Sequence, residues 1–302
     1  MFMKKWLRTG LTLLVSLLTS TQSYATDDYF PLKIVSWNIE WLSSEQDHSV
    51  PQARRTSDDF AALRRYFEIM SPDILAFQEI NDLEAIQKVV GNNYMIVLSD
   101  RANAHNRNHQ FKNLNQYTGF AIKKRLAFEN ITDIRLSSRR NSKLRFGAYI
   151  VLAPKSEQPL HLLSVHLKAG CSGAFRDNSN CQQLKQQGQV LADWITEREK
   201  TGQHYVIAGD FNHNLAYPND WLWQTLNQSG QVELATAKTR AKCKVRSNRD
   251  PNRLHQFRSL IDHIIVSAPL NASKVRQNIY SSRDVLDYHL SDHCPVIANI
   301  EQ

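Results

Sequence analysis

Short apolar runs of four to six residues recur along most of the chain, and they restrict its fold more than any other feature. Runs of this length and composition, separated by polar and turn-forming residues, predict the strands of a β-sheet. The runs are 33–37, 74–77, 94–98, 119–122, 147–152, 160–165, 205–208, 261–266 and 295–300.

Between some of these runs, apolar residues recur at the spacing of one helix face. The helical patterns are Phe60, Leu63, Phe67 and Met70; Leu83, Ile86 and Val90; and Leu184, Leu191, Trp194 and Ile195 in a longer helix that begins near Cys181. Because strands and helices do not alternate strictly, the pattern predicts two packed sheets with helices outside them. No proline-rich, glycine/serine-rich or charge-block segment divides 26–302, so we expect one domain there.

The first 25 residues have the features of a secretory signal peptide. Three cations precede an apolar stretch over 11–18, and Ser23-Tyr24-Ala25 is a small-x-small cleavage pattern. The alternative is a membrane anchor, but the stretch is far shorter than the roughly 20 residues that a bilayer span needs. We therefore expect cleavage after Ala25 and export to the periplasm or the medium, without stable membrane insertion.

Composition excludes a disordered or repetitive polymer, because 42% of the residues are hydrophobic and only 10 are glycine and 9 proline. Removing residues 1–25, which carry three cations and no acids, leaves 277 residues and lowers the formal net charge from +8 to +5. A basic exported domain is suited to polyanionic partners. We expect it to act as a monomer.

The four cysteines form an even set in a chain predicted to reach an oxidising compartment. One or two disulfides are expected, and three complete pairings are available. Cys171 with Cys181 is favoured because the two flank a short polar loop. Cys243 with Cys294 is the remaining pair, and a buried free thiol at Cys294 is the alternative. A metal site is disfavoured since no Cys-x-x-Cys or histidine spacing accompanies them.

Polar side chains suited to metal or phosphate chemistry follow many of the predicted strands. They are Asn38, Glu79, His166, Asp210, Asn212, Asp262, Asp292 and His293. Taken singly, each has an ordinary explanation, such as a capping carboxylate or a structural histidine. Asp210 and Asn212 stand two apart after Gly209, which we expect to permit an unusual turn, so both can project to one side.

Asp262 is the odd residue of its run, because a carboxylate in a buried strand needs a partner. His293 is one candidate, since a carboxylate that holds an imidazole in one tautomer prepares it to act as a general base. An ion pair with Arg258 is the alternative.

In this order, the eight residues resemble the endonuclease/exonuclease/phosphatase superfamily, which includes deoxyribonuclease I, apurinic/apyrimidinic endonucleases, bacterial sphingomyelinases and inositol-polyphosphate phosphatases. The resemblance covers nearly all of 32–300. It implies an α+β fold, a four-layer αββα sandwich of two mainly antiparallel or mixed sheets flanked by helices, with the active site at one edge.

The resemblance also implies a metal site. Glu79 matches the direct ligand, Asn38 a second residue of that site, and Asp292 a further carboxylate at or near the metal. Mg²⁺ is the expected ion, with Mn²⁺ or Ca²⁺ as alternatives, because carboxylate oxygens suit hard cations.

Catalytic roles follow from the same resemblance. Asp210 and Asn212 match the pair that positions the attacking water and the phosphate, and His293, oriented by Asp262, matches the general base. His166 matches the histidine of nuclease-type and phosphatase-type members, which stabilises developing charge or aids the leaving oxygen. Apurinic endonucleases have asparagine at that position, so abasic-site repair is disfavoured.

The expected substrate is nucleic acid, with DNA favoured over RNA and little sequence preference. Cations that could contact phosphates are concentrated in three segments, with solvated surface loops as the alternative. They are Arg101, His105, Arg107, His109 and Lys112 in 99–116; Arg135, Arg139, Arg140, Lys143 and Arg145; and Lys238, Arg240, Lys242, Lys244, Arg246, Arg249, Arg253 and Arg258 in 237–258. Tyr117 is expected either to stack in a groove or to pack in the core.

Two other functions stay open. One is hydrolysis of lipid or small phosphates by a sphingomyelinase-like enzyme, although Trp221 and Trp223, in an expected short helix, are the nearest approach to a membrane-inserting hairpin. The other is a catalytically inactive polyanion-binding module on the same fold.

Overall fold

The computed structural model describes residues 30–45, 50–247 and 249–302, so the expected signal peptide at 1–25 lies outside the described residues. The strands are β1 (Leu32–Leu42), β2 (Ile74–Ile80), β3 (Tyr94–Leu98), β4 (Tyr117–Lys123), β5 (Phe128–Ile134), β6 (Gly147–Leu152), β7 (Leu160–His166), β8 (His204–Asp210), β9 (Val232–Leu234), β10 (Lys244–Arg246), β11 (Leu254–Gln256), β12 (Asp262–Ser267), β13 (Asn271–Gln277) and β14 (Val296–Glu301). The α-helices are α1 (Ser57–Met70), α2 (Leu83–Val90), α3 (Ser179–Lys200), α4 (Trp221–Leu226) and α5 (Ser282–Asp287).

The strands form two six-stranded sheets and one small hairpin. The first sheet has the order β13-β14-β1-β2-β4-β3, the second has the order β5-β6-β7-β8-β12-β9, and β10 pairs with β11. Each large sheet contains one parallel pair, β1 with β2 and β7 with β8, and its other pairs are antiparallel. Both sheets are therefore mixed, as expected.

Alternation along the strands divides the core into three apolar layers. In β1, Leu32 and Ile34 belong to the layer between the sheets, whereas Val35 and Trp37 pack under α1 and α2. A third layer lies between the second sheet and the helices α3 and α4. The predicted four-layer αββα sandwich is confirmed.

Helices begin where a polar side chain caps the first turn. Thr56, Asp82, Asn178, Asp220 and Ser281 each accept a hydrogen bond from a backbone N–H in the first turn of their helix. Within the described residues, no helix is long and apolar enough to cross a membrane.

The inner faces of the central strands change from apolar to polar at one edge of the sandwich. In β8, Val206 and Ala208 lie in the middle layer, and the next inward residue is Asp210. The parallel register sets His166 of β7 beside Asp210. One step below that edge, Ser164 Oγ donates to Phe77 O of the opposite sheet at 3.0 Å. A direct hydrogen bond thus joins the two sheets beneath the polar edge.

All nine predicted strands are present, with ends shifted by a few residues, and the helical patterns match α1, α2 and α3. Sequence analysis missed β5 and β13, which are edge strands with largely polar, partly exposed residues, so they lack an apolar run. It also missed the three-residue strands β9, β10 and β11 and the short helix α5. The expected short helix at Trp221 and Trp223 is α4.

Gly209 does not form the unusual turn that the sequence suggested. It is an ordinary residue of β8, and a Cβ atom there would lie 2.0 Å from Val165 O in the neighbouring strand. The glycine therefore permits close approach of β7 and β8 immediately before Asp210.

We expect Gly209→Ala to destabilise the protein by at least about 3 kcal/mol, because a backbone oxygen cannot move aside without separating the two strands. Gly147→Ala is the matched control, since its Cβ would lie 3.6 Å from the nearest atom, an ordinary contact. Urea denaturation measures both free energies of unfolding. Equal effects of the two substitutions would contradict the close-approach explanation.

Candidate active site

All eight residues singled out in the sequence lie at one edge of the sandwich. Side-chain contacts of 3.8 Å or less connect all of them. The eight residues are Asn38, Glu79, His166, Asp210, Asn212, Asp262, Asp292 and His293. The carboxyl ends of β1, β2, β7 and β8 and the segments that lead into β12 and β14 supply them. The fold thus gathers residues that are up to 255 positions apart in the sequence.

Asn38 links the two sheets at this edge. Its Nδ2 donates to Glu79 Oε1 at 3.2 Å and to Asp210 Oδ2 at 3.1 Å. Its Oδ1 accepts from the backbone N–H of Glu40 at 3.0 Å. The amide therefore directs donors, not its oxygen, toward the carboxylates, and the ligand role expected for Asn38 would require the amide to turn over.

Glu79 reaches the cleft because the backbone departs from regular strand geometry. Alternation would set it on the helix-covered face with Leu75 and Phe77, but Glu79 has a φ of +62° and the pairing register shifts between Phe77 and Ile80. Its Oε2 then accepts from Trp41 N at 3.1 Å. The unusual backbone turns the carboxylate toward Asn38 and His166.

Asn212 also has a left-handed conformation, with a φ of +51°. Its backbone N–H donates to Asp210 Oδ1 at 2.7 Å, and its Nδ2 donates to Asp210 Oδ2 at 3.1 Å and to Leu167 O at 3.2 Å. The expected pair lies on one side, and Asn212 fixes the Asp210 carboxylate.

His293 and Asp262 form a hydrogen-bonded pair. The distance from Nδ1 to Asp262 Oδ2 is 2.9 Å, and Nε2 lies 3.8 Å from Asp210 Oδ2. Since a carboxylate only accepts, Nδ1 carries the proton and Nε2 faces Asp210. His293, rather than Arg258, is thus the partner of Asp262. Tyr280 Oη also donates to the backbone oxygen of His293 at 2.7 Å, which fixes the segment.

His166 is buried between the carboxylates. Its Nε2 lies 3.4 Å from Asp210 Oδ2 and 3.7 Å from Glu79 Oε1. Burial and the charges of Arg145 and His293 hold the pKa of His166 well below its usual range. The ring is therefore neutral at physiological pH, and its N–H can donate to an anionic oxygen.

Negative charge is crowded in this cleft. Burial, together with the charges of Asp262 and Glu79, raises the pKa of Asp210 to about 7 against the opposing effect of His293. Burial alone would lower the pKa of His293, but the charges of Asp262 and Asp210 outweigh it and raise that pKa well above its usual range. A proton or another cation is needed to balance these carboxylates.

Glu40 is a site residue that sequence reasoning missed. Burial and the charge of Asp292 raise its pKa to about 7, and its Oε2 accepts from Asp292 N at 3.1 Å and lies 3.8 Å from His289 Nε2. Its position two residues after Asn38 is the signal that could have identified it.

Sequence analysis also missed Arg55, which holds two segments of the site together. Its buried guanidinium donates to Ile39 O at 3.2 Å and to Leu290 O at 2.7 Å. It therefore ties the end of β1 to the segment that carries His293. Nothing in its sequence context distinguishes Arg55 from the neighbouring surface arginines.

The donor set suits a hard divalent cation. Glu79 and Asp210 provide carboxylate oxygens on the Asn38 side, with Glu40 and Asp292 beyond them. Within the described ranges, donor atoms of Asp210, Asp262 and His293 also lie within 4.8 Å of one another. Because Asp262 and His293 already bind each other, the carboxylates on the Glu79 side fit a cation better.

Both cysteine pairs are at disulfide distance, so the favoured pairing is confirmed and Cys294 is not a free thiol. Cys171–Cys181 closes the loop between β7 and α3, and Cys243–Cys294 joins the start of β10 to the residue after His293. The second bridge thus connects the cation-rich segment 237–258 to the polar edge.

Some of the cations expected to contact substrate have structural roles instead. Arg101 is fully buried, where it donates to His109 O and Gln116 O, so its assignment to a substrate loop was wrong. Tyr117 is packed in the core. Arg246 donates to carbonyl oxygens of α5. The cations of the remaining loops that stay exposed include Arg107, Lys112, Arg139, Arg140 and Lys143.

Comparison with known proteins identifies the fold. The model of the Endonuclease/Exonuclease/phosphatase family matches residues 35–293. TDP2 from Caenorhabditis elegans is 19% identical, with 90% of this chain and 76% of that chain covered and a TM-score of 0.60. The Bacteroides thetaiotaomicron mannosyl-6-phosphatase Bt3783 is 15% identical, with 90% and 100% covered and a TM-score of 0.60.

A Bacteroides vulgatus protein described as endonuclease/exonuclease/phosphatase is 14% identical, with 89% of this chain and 98% of that chain covered and a TM-score of 0.62. No curated protein sequence matched the chain.

Replacing Cys243 and Cys294 by serine should cost more stability than replacing Cys171 and Cys181. The bridges have sequence separations of 51 and 10 residues, and the chain-entropy relation gives about 4 and about 3 kcal/mol respectively. Denaturant titration of the two double variants measures this order. Hydrogen exchange at 290–295 should also accelerate only in the first variant; the reverse order, with no faster exchange there, would contradict the prediction.

Proposed function

The chain belongs to the endonuclease/exonuclease/phosphatase family, and on that premise we propose that it is a divalent-metal-dependent phosphodiesterase that cuts nucleic acid after export. The family includes nucleases and phosphatases that hydrolyse phosphate diesters or esters. DNA is the favoured substrate, with RNA second and little dependence on base sequence. The two disulfides support an oxidising destination.

One observation carries the proposal: the Asp262–His293 pair points Nε2 at Asp210, and the same Asp210 carboxylate is contacted by Asn38, which also binds Glu79. A proton acceptor and a group of hard oxygen ligands thus face each other across one carboxylate. Hydrolysis of a phosphodiester needs both, because the water must lose a proton and the phosphate charge must be neutralised.

Glu79 would hold Mg²⁺, with Asp210, Asp292 and a turned Asn38 amide as the further oxygen ligands. The chemistry that such a cation supplies is neutralisation of the non-bridging phosphate oxygens and of the crowded carboxylates, which leaves His293 free to accept a proton.

The chain's own residues would divide the remaining steps. His293 Nε2 accepts the proton of the attacking water, which Asp210 holds in place, and Asp262 stabilises the imidazolium that forms. The neutral His166 donates its N–H to an oxygen that gains negative charge, either on the phosphorus or on the leaving group. Asn212 keeps Asp210 in the orientation that these reaction steps require.

The charge of the surrounding loops favours a polyanion over a small phosphate ester. Three exposed arginines and one exposed lysine lie at 135–143, just before Arg145, whose charge acts on His166. The hairpin of β10 and β11 lies in the cation-rich segment 237–258. Lipid hydrolysis has less support, because Trp221 Nε1 donates to Gly173 O and both tryptophans pack against the core beneath α4.

We expect hydrolysis of plasmid DNA with Mg²⁺ and none with chelator, tested beside RNA, sphingomyelin vesicles and a sugar phosphate. His293→Ala should lower the rate by about 10²- to 10⁴-fold, the usual contribution of a general base. Glu129→Ala, an exposed residue of the edge strand β5, is the control. Faster hydrolysis of sphingomyelin or the sugar phosphate than of nucleic acid would overturn the substrate assignment.

Metal binding should also appear as a thermal shift without any substrate. At 100 times its dissociation constant, Mg²⁺ should stabilise the protein by about 2.7 kcal/mol, which raises Tm by about 5 °C at this chain length. Glu79→Gln should lose most of the shift, whereas the exposed Glu129→Gln, on an edge strand, should keep it. An unchanged shift in Glu79→Gln would remove Glu79 from the metal site.

A further inference from the structure

A cation-lined groove includes Arg145, whose charge acts on His166, and contains one exposed aromatic ring. Two adjoining cavities of about 580 and about 530 Å³ form it, and both are lined by Phe111, Asn141 and Lys143. The six cations along them are Arg107, Lys112, Arg139, Lys143, Arg145 and Lys168. Among the described residues, no acid lines either cavity.

Phe111 divides the groove and is held in place there. Phe111 is 41% exposed, although residues of its type are usually buried, and the Arg101 guanidinium lies 5.4 Å from the ring centroid. The backbone N–H of Phe111 donates to Asn115 Oδ1 at 2.9 Å. Asn115 N in turn donates to Asn81 Oδ1 at 2.8 Å, two residues beyond Glu79. The ring is therefore fixed relative to the candidate metal site.

Hydrogen bonds between the segments 108–110 and 142–143 hold the walls of the groove in place. Lys143 Nζ donates to Asn108 O at 2.9 Å and to Gln110 O at 2.6 Å, and the ring of His109 donates from Nδ1 to Ser142 O at 2.8 Å. Closer to the catalytic edge, Arg145 Nη2 donates to Leu167 O at 3.0 Å, beside His166.

We propose that this groove binds single-stranded nucleic acid, with a base stacked on Phe111 and the flanking phosphates held by the cations on both sides. The inference rests on the proposed phosphodiesterase function and adds to it a binding site for single-stranded stretches of the substrate. Cations alone would accept any polyanion, but a fixed exposed ring between two cation-lined cavities matches a backbone with a base between phosphates. A duplex keeps its base faces stacked internally and cannot offer one to the ring.

The test measures binding in chelator, so that no cleavage occurs. The probes are fluorescein-labelled 12-mers of thymidine and of uridine and a DNA hairpin that has the same number of phosphates and a non-nucleotide linker in place of its loop. Phe111→Ala should weaken binding of the 12-mers about 10-fold and leave hairpin binding unchanged. Phe111→Trp should retain 12-mer binding, because it keeps a ring. Ile69→Ala, an exposed apolar residue on α1, is the matched control.

The cations are tested through salt dependence. Arg107→Gln with Lys112→Gln should reduce the slope of log Kd against log salt by about 1.4 for the 12-mers, since each phosphate contact on a single strand contributes about 0.7. Lys124→Gln with Lys155→Gln, exposed outside the groove, should leave the slope unchanged. The ratio of the two 12-mer affinities shows whether the thymidine or the uridine strand binds more tightly.

Unchanged 12-mer binding in Phe111→Ala, or an equal loss for the hairpin, would overturn the groove proposal. Far-ultraviolet circular dichroism confirms that each variant is folded. Hydrolysis of the same oligonucleotides with Mg²⁺ separates this outcome from failure of the proposed function. Cleavage without Phe111 dependence would reject the groove alone, whereas Phe111-dependent binding without cleavage would reject the phosphodiesterase alone.

Discussion

The structure depends on the hydrogen-bonded contact that joins the two sheets beneath the polar edge. Ser164 Oγ donates to Phe77 O, and Gln78 Nε2 donates back to Ser164 Oγ at 3.2 Å, all within the buried interior. Below this contact the middle layer is apolar, and above it the inward side chains are polar. The distance between the sheets is therefore fixed at the level where Asn38 bridges to Asp210.

The charges around the site are the second constraint, and they give the two histidines different pKa values. His166 is buried near Arg145 and stays neutral, whereas His293 is buried beside Asp262 and Asp210 and holds a proton more tightly. Two identical side chains a few ångströms from the same carboxylate thus have pKa values shifted in opposite directions. The surroundings of each histidine, more than its residue type, determine its protonation.

Sequence analysis predicted the positions that follow from regular alternation along a strand. Asp210 and His166 follow apolar strands with the correct period, so their place at a sheet end could be inferred, as could the partnership of Asp262 with His293. The left-handed backbone conformations of Glu79, Glu40 and Asn212 could not, because a positive φ at a residue other than glycine depends on tertiary contacts. Arg101 was misjudged for the same reason, since loop cations look alike in sequence whether buried or exposed.

The pairing of β1 with β14 has a consequence for biosynthesis. Asn38 O accepts from Ser291 Oγ at 2.7 Å across a sequence separation of 253 residues. A polypeptide emerging from the ribosome contains Asn38 and Glu79 long before it contains His293. The eight residues of the cleft can therefore come together only after synthesis has reached the segment that leads into β14.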